Sequence, residues 1–236
     1  MSKNYYIGWD VGGWSCEKNS KSRDAIVILD ESLDVIGEPW RGNLKDTLNS
    51  VEPNDHQAFI RALFELCGVS QYDEGAIIYL AIDTPLGYSQ AFTDLVIKGK
   101  IADEPIGEHR ENPYLFRRTE RFLSEKGFRP LSAVQDMIGA QSTKGIHLLS
   151  KLGLKVKETG VWTKGNLTVI ETYPTANRKT FKSFCLEGHE DIQDACICAR
   201  VAHVFATERE RLYQPTDDVP EKEGWIWAVN SETGDP

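Results

Sequence analysis

The feature that most constrains the fold is an almost wholly apolar run at residues 76–82, Ala-Ile-Ile-Tyr-Leu-Ala-Ile, which ends at Asp83. Such a run is typical of a central strand whose two faces are both covered. Thr84 and Pro85 follow directly, and the proline ends the strand because it has no amide hydrogen to donate to a sheet. The run therefore predicts an α/β fold in which Asp83 lies at the carboxyl end of a central strand.

Further strands and helices are predicted on both sides of this run. Residues 5–11 form a first strand that carries Asp10 at its end, and residues 22–29 and 33–40 form a hairpin around a polar turn. The other predicted elements are a helix over 55–67, helices over 95–101, 113–125 and 133–152, a strand over 167–173, a short helix over 180–186 and a helix over 189–205. This order predicts a mixed five-stranded sheet, three antiparallel strands followed by parallel strands, flanked by helices and interrupted by a mainly helical insertion at about 86–164.

The helix predicted over 189–205 carries two acids at the head of an apolar stripe. At 3.6 residues per turn, one face holds Asp191, Asp194, Ala195, Cys198, Val201, Ala202 and Phe205, and the opposite side holds Gln193, Arg200 and Val204. The helix dipole alone explains an acid in the first turn, such as Asp191. Asp194 lies on the face expected to be buried, where an unpaired charge is costly unless a cation compensates it. A divalent metal ion is one such cation.

Three more acids fall in or at the ends of predicted strands. Asp10 ends the first strand, Asp83 ends the central strand, and Glu171 lies in the strand before the last helix. If the first and central strands are neighbours, Asp10 and Asp83 emerge side by side, and the last helix adds Asp191 and Asp194. Crowded carboxylates repel one another, so the group makes physical sense chiefly as a cage for Mg²⁺ or Mn²⁺, which prefer oxygen ligands. Each acid taken alone is also explained as a cap or turn former.

The joint placement favours a metal site. We expect Asp10, Asp83, Asp191 and Asp194 to bind the metal, and Asp194 to lie within metal-sharing distance of Asp10. Two such ions about 3.5–4 Å apart activate a water molecule and stabilise the leaving oxygen in phosphodiester hydrolysis. The sequence thus predicts a two-metal hydrolytic site with Mg²⁺ or Mn²⁺ as cofactor.

A combination of six short segments is also informative: residues 8–14, 81–87, 117–121, 170–174, 189–195 and 223–227. Together they resemble the family of predicted RNase H-fold nucleases, domain of unknown function 429, over residues 5 to about 229. The final helix is similar to that of Holliday-junction resolvases, whose metal-binding aspartates have the same i, i+3 spacing. The resemblance implies a single RNase H-like domain over residues 1–236 and metal-dependent nuclease activity on DNA or RNA. Its site residues would be Asp10, Asp83, Glu171, Asp191 and Asp194.

Arg117, Arg118 and Arg121 form a compact cationic patch on the helix predicted over 113–125. Guanidinium groups suit phosphate oxygens, so the three arginines are candidate substrate-binding residues for a nucleic-acid backbone. Residues 98–129 contain eight Lys or Arg against six Asp or Glu, a local excess of positive charge. The alternative is that these arginines pair with neighbouring acids or with the carboxylate cluster itself.

Composition narrows the function classes. The net charge of −9 argues against a protein that coats nucleic acid by bulk electrostatics, although it allows local contact. No apolar run approaches a membrane span and no signal-peptide pattern precedes residue 5, so we expect a cytoplasmic protein without a membrane segment. Five cysteines without C-x-x-C spacing indicate neither a disulfide framework nor a structural zinc site.

Two other functions stay open from the sequence. The segment from Asp10 through Gly12 and Gly13 also resembles the first phosphate loop of actin-like ATPases and sugar kinases. Those enzymes have two such domains and a second glycine-rich adenosine segment, and neither is evident in this sequence. The third possibility is a nucleic-acid or protein binding module that kept the fold and lost the chemistry.

Overall fold

The computed structural model describes residues 3–136, 138–184 and 186–230, which form eight strands and seven α-helices. The strands are β1 Asn4–Asp10, β2 Asp24–Leu29, β3 Trp40–Gly42, β4 Ile77–Asp83, β5 Lys155–Glu158, β6 Val161–Lys164, β7 Leu167–Thr172 and β8 Ile226–Trp227. The helices are α1 Lys45–Ser50, α2 His56–Leu66, α3 Gln90–Lys98, α4 Arg118–Glu125, α5 Gly139–Leu152, α6 Pro174–Phe181 and α7 Glu190–Thr207. The α/β class is confirmed.

One mixed open sheet contains all eight strands, in the order β3-β2-β1-β4-β7-β6-β5, with β8 beside β7. β4 lies between β1 and β7 and is parallel to both, whereas β2 pairs antiparallel with β1, and β3 antiparallel with β2. β5, β6 and β7 are antiparallel, and β8 pairs with the last two residues of β7 beyond the end of β6. The predicted neighbourhood of the first and central strands is therefore confirmed.

The predicted count of five strands is wrong. The hairpin β5–β6 lies inside the segment 86–164 that was expected to be mainly helical, and β8 is only two residues long. β5 reads Lys-Val-Lys-Glu and lies at the exposed edge of the sheet, so it lacks the apolar pattern by which a covered strand is identified. Between residues 86 and 152 the segment contains the helices α3, α4 and α5, joined by long loops. α3 begins earlier than predicted and ends at Lys98, where Gly99 forms the C-cap at φ 63°.

The third antiparallel strand is shorter and later than the predicted strand over 33–40. β3 begins at Trp40, and the preceding segment contains Leu33 at φ 64°, Gly37 at φ 71° and Pro39. Positive φ values interrupt an extended strand. Gly37 is required here because a Cβ atom at this position would lie 2.2 Å from the carbonyl oxygen of Cys67.

Two apolar cores lie on the two faces of the sheet. α1, α2 and α5 cover one face, and α7 with the segment around Trp225 and Trp227 covers the other. α7 packs unusually close to β1, because a Cβ atom on Gly8 would lie 1.8 Å from the carbonyl oxygen of Ala195. Val204, predicted on the outer side of this helix, is buried within the same core. Among the described residues no helix is long and apolar enough to cross a membrane.

Candidate active site

Asp10 and Asp83 are register partners at the carboxyl ends of the parallel strands β1 and β4. Side chains two residues apart on a strand point to the same face of the sheet. Asp10 therefore shares the face of Gly8, and Asp83 the face of Ala81, and this face is covered by α7. The two acids therefore meet where the sequence predicts, because a parallel pairing without offset brings the ends of the two apolar runs together.

Both carboxylates line a cavity of about 340 Å³ whose other walls include Leu131, Gln141 and Tyr173. Within residues 3–136, 138–184 and 186–230, neither carboxylate forms a hydrogen bond or an ion pair. Burial raises the pKa of Asp10 well above its usual range, and repulsion from Asp83, Asp191 and Asp194 adds to the shift. Burial likewise raises the pKa of Asp83, with repulsion from Asp194 and Glu171, and the more distant charge of Arg178 offsets only part of the shift. In the absence of a bound cation, ionisation of both acids therefore destabilises the folded protein.

Thr84 supplies a second polar group without a partner at the same cavity. The residue is only 4% exposed, and its Oγ1 atom is buried with no hydrogen-bond partner in the described part of the chain. Its methyl group packs against Gly145 of α5, where a Cβ atom would come within 2.6 Å of it. An unsatisfied buried hydroxyl costs about 1–3 kcal/mol.

Asp194 lies close enough to repel both strand-end acids, but its carboxylate is paired with Arg178 of α6. One guanidinium nitrogen, Nη2, donates to both oxygens of Asp194, at 2.6 and 2.9 Å. Burial raises the pKa of Asp194 to about 6, an effect that Arg178 opposes and Glu190 reinforces. The predicted need of Asp194 for a cation is met in this structure by an arginine.

Asp191 is paired in a similar way, with Arg41 of β3. Arg41 Nε donates to Asp191 Oδ2 at 2.7 Å, and the backbone amide of Arg23 donates to the same oxygen at 2.9 Å. His189 caps α7, since its Nδ1 accepts from the backbone amide of Asp191 at 3.2 Å. Asp191 is buried and closely held, as an acid at a helix N-terminus commonly is.

The fit of these residues to a divalent metal ion is partial. No three His, Cys, Asp or Glu side chains of the described chain converge closely enough to hold an ion. Asp10 and Asp83 offer hard oxygen ligands without protein partners, which suits Mg²⁺ or Mn²⁺. Asp191 and Asp194 have the right chemistry, but their oxygens face arginines. The structure thus provides two available ligands and two engaged ones.

Glu171 is placed differently from the aspartates. It pairs in register with Ile82, the residue before Asp83, and so belongs to the opposite face of the sheet. Its oxygens accept from Arg117 Nη2 at 2.6 Å and Arg117 Nη1 at 2.8 Å, and from the amide of Leu86 at 2.9 Å. Glu171 is 1% exposed. The structure therefore engages it fully in an internal ion pair.

Arg117 is buried beneath α4 and is not available to a substrate in this structure. Besides Glu171 it contacts Glu120, with Nε donating at 2.8 Å, and the carbonyl oxygen of Glu223 at 2.8 Å. Burial acts to lower the pKa of Arg117, but the two carboxylates more than offset it and hold the pKa above its ordinary value. The Glu223 carboxylate accepts from the backbone amides of Gln90 and Arg118, both at 2.8 Å, and so joins the first turns of α3 and α4. Arg117 therefore pairs with internal acids, which is the alternative to substrate binding that the sequence left open.

Arg118 and Arg121 lie on the surface side of α4. They line a cavity of about 630 Å³ together with Arg110, and the same cavity is lined by Glu104 and other acids. Arg121 donates to both oxygens of Glu104 at 3.1 Å, whereas Arg118 reaches Glu104 only at 3.9 Å. With its side chain 43% exposed, Arg118 is the more available cation. The three predicted arginines therefore do not act as one patch.

A buried ion pair that sequence reasoning missed holds the loop after β1. Lys144 of α5 and Asp24 of β2 are both fully buried and paired, and Lys144 Nζ also donates to the carbonyl oxygens of Gly12 and Gly13 at 3.3 and 3.4 Å. The amide of Gly12 donates to Asp24 at 2.9 Å. This amide is therefore already bonded and is not free to donate to a phosphate. Lys144 shares a helix face with Leu148 and Leu152, and this spacing was the available signal.

Sequence reasoning also missed Arg41 and Arg178, which are separated in sequence from the acids they pair with by 150 and 16 residues.

Comparison of the chain with protein-family models, with curated proteins and with solved structures found no match. Its function is therefore argued from the residues of this site alone.

Proposed function

We propose that this chain is a metal-dependent phosphodiester hydrolase, a nuclease of the RNase H-like type that the six sequence segments resemble. The observation that carries the proposal is the adjacent pair Asp10 and Asp83, two carboxylates in register that face a cavity without a cationic partner in the described residues. Such a pair is destabilising unless it binds a cation or shares a proton. A site that retains this cost is typical of a functional centre.

Asp10 and Asp83 would hold Mg²⁺ or Mn²⁺ through their carboxylate oxygens. When bound, the metal lowers the pKa of a coordinated water and stabilises negative charge on a phosphate. The chain's own residues orient the site, because Lys144 and Asp24 fix the loop after Asp10. Arg118, partly exposed and only weakly paired, is the candidate contact for the nucleic-acid backbone. We place this activity in the cytoplasm.

Two observations bear on the alternatives. The kinase-like alternative is weakened because the Gly12 amide is bonded to Asp24 rather than free for phosphate. The alternative of an inactive binding module is supported by the ion pairs that Asp191 and Asp194 form with arginines, because these pairs engage two of the expected metal ligands. Only an activity measurement decides between the hydrolase and the inactive module.

The test compares cleavage of end-labelled single-stranded, duplex and branched DNA and RNA with Mg²⁺, with Mn²⁺ and with chelator. We expect metal-dependent cleavage that falls by about 100-fold or more in Asp10→Asn and Asp83→Asn, because each variant removes a metal ligand. Asp34→Asn, an exposed acid in the turn after β2, is the matched control and should cleave normally. Absence of cleavage with every substrate, together with absence of metal-induced stabilisation, would rule out the proposal. ATP hydrolysis lost in Asp10→Asn would instead support the kinase-like alternative.

A further inference from the structure

The two arginines that pair with the acids of α7 are held very differently. Arg41 is 17% exposed and is fixed by partners other than its acid, since its Nη2 donates to the carbonyl oxygen of Ser20 at 2.9 Å and lies 3.2 Å from His189 Nε2. Its partner Asp191 also accepts from the backbone amide of Arg23. Separating Arg41 from Asp191 would thus disrupt several contacts at once.

Arg178 has no comparable anchorage. Its side chain is 38% exposed, and in the described part of the chain its hydrogen bonds go only to carboxylates: Nη2 donates to both oxygens of Asp194, and Nη1 donates to Glu190 at 3.2 Å. Glu190 is itself 70% exposed, so that second contact contributes little. The guanidinium can therefore leave Asp194 for solvent without breaking a buried network.

Asp194 directly precedes Ala195, whose carbonyl oxygen packs against Gly8, two residues before Asp10 on the same face of β1. This packing brings Asp194 towards the Asp10–Asp83 pair, in agreement with the repulsion it exerts on both acids. Arg178 uses both oxygens of Asp194, so a metal ion and Arg178 compete for the same carboxylate. Given the metal site of the proposed function, we infer that Arg178 is an exchangeable counter-cation that yields Asp194 to the metal as its third ligand, while Asp191 stays bound to Arg41 as a structural residue.

The inference is tested by calorimetric titration of Mn²⁺ into the wild type and variants near pH 8. Arg178→Gln removes the competing cation, so we expect it to bind Mn²⁺ about tenfold more tightly than the wild type. Lys179→Gln removes the same charge from the next, exposed position of α6 and is the matched control, with an expected change of less than about twofold. Circular dichroism of each variant checks that it is folded.

The double variant Arg178→Gln/Asp194→Asn separates competition for Asp194 from a general electrostatic effect. We expect the gain in affinity to disappear in it, because the freed ligand is absent. Equal affinities for Arg178→Gln and Lys179→Gln, or a gain that persists in the double variant, would overturn the inference. Cleavage is measured separately: Mn²⁺ binding with the predicted pattern but without cleavage would support the inference and contradict the proposed hydrolase.

Discussion

Asp10 and Asp83 stand side by side at the ends of two parallel strands, and neither carboxylate is paired with a cation in the part of the chain that the structure describes. Their neighbours in the same sheet show the contrast. Asp24 is paired with Lys144, and Glu171 with Arg117. Asp24 and Glu171 are thus neutralised by internal cations, whereas Asp10 and Asp83 face the cavity without one. We therefore expect Asp10 and Asp83 to lower the stability of the metal-free protein.

The first prediction concerns stability against pH. The pKa values of Asp10 and Asp83 are raised in the folded state, so the folded protein binds more protons than the unfolded chain above about pH 4. Below about pH 4 the two acids are protonated and do not destabilise the folded state. As pH rises through their folded pKa values they ionise, and the protein loses stability. Asp83→Asn should therefore raise the free energy of unfolding by about 1–3 kcal/mol at pH 8 and by almost nothing near pH 4.

Urea unfolding of metal-free protein at several pH values measures this difference. Asp34→Asn, which removes an exposed acid, should show no such pH-dependent gain. Asp194, with a pKa raised to about 6, should contribute a smaller effect of the same sign between about pH 4 and pH 7. A lower stability of Asp83→Asn at pH 8 would show that a bonded group stabilises the Asp83 carboxylate, and would contradict an unpaired acid at this position.

A second prediction follows from the burial of Arg117. Arg117→Met leaves Glu120 and Glu171 buried without a cation, so we expect a loss of about 3–5 kcal/mol in the free energy of unfolding at neutral pH. The loss should shrink at acidic pH, because burial already raises the pKa of Glu120 and protonation relieves the unpaired charge. Arg118→Met, at an exposed position, should cost less than about 0.5 kcal/mol. Similar effects of the two substitutions would contradict the assigned network.

The buried pair of Lys144 and Asp24 gives a third prediction. Lys144→Met should destabilise the protein by about 3–5 kcal/mol, because Asp24 keeps only neutral donors, namely the indole of Trp9, the thiol of Cys16 and the amides of Gly12 and Leu44. The double variant Lys144→Met/Asp24→Asn should recover part of the loss, which a double-mutant cycle in urea measures. Strictly additive losses would show that the two residues act independently.

The fourth prediction concerns the contribution of Arg118 to nucleic-acid binding, measured through its salt dependence. With the Asp10→Asn protein, to prevent cleavage, Arg118→Gln should weaken binding and reduce the slope of log affinity against log salt by about one. Lys155→Gln, which removes an exposed cation on the edge strand β5, is the control. Fluorescence anisotropy with a labelled oligonucleotide supplies both numbers. An unchanged slope in Arg118→Gln would remove α4 from the nucleic-acid surface.

The sequence was sufficient for those parts of the site that depend on local pattern. The apolar runs before Asp10 and Asp83 specify two covered strands, and their parallel pairing follows from the element order. The spacing of Asp191 and Asp194 on one helix face likewise requires only helical periodicity. What the sequence does not contain is the identity of the cation opposite each acid, which depends on the packing of β3 and α6 around α7.

The same limit explains the errors in the fold. Strand β5 owes its place to pairing with β6 at an edge, and its charged residues carry no signal of that pairing. Gly37 and Leu33 adopt positive φ values that end the predicted third strand early, and tertiary contact with Cys67 accounts for the first of them. Sequence pattern thus predicted the covered centre of the sheet better than its edges.

The most direct test of the central claim is the effect of a metal on the stability order of the wild type and Asp10→Asn/Asp83→Asn. Without metal at pH 8, the double variant should be the more stable protein in urea. With Mn²⁺ at about 100 times its dissociation constant, the wild type should gain about 2.7 kcal/mol and the variant almost nothing, so that their difference shrinks or reverses. An equal response of both proteins to Mn²⁺, or no response in either, would contradict the assignment of Asp10 and Asp83 as a metal site.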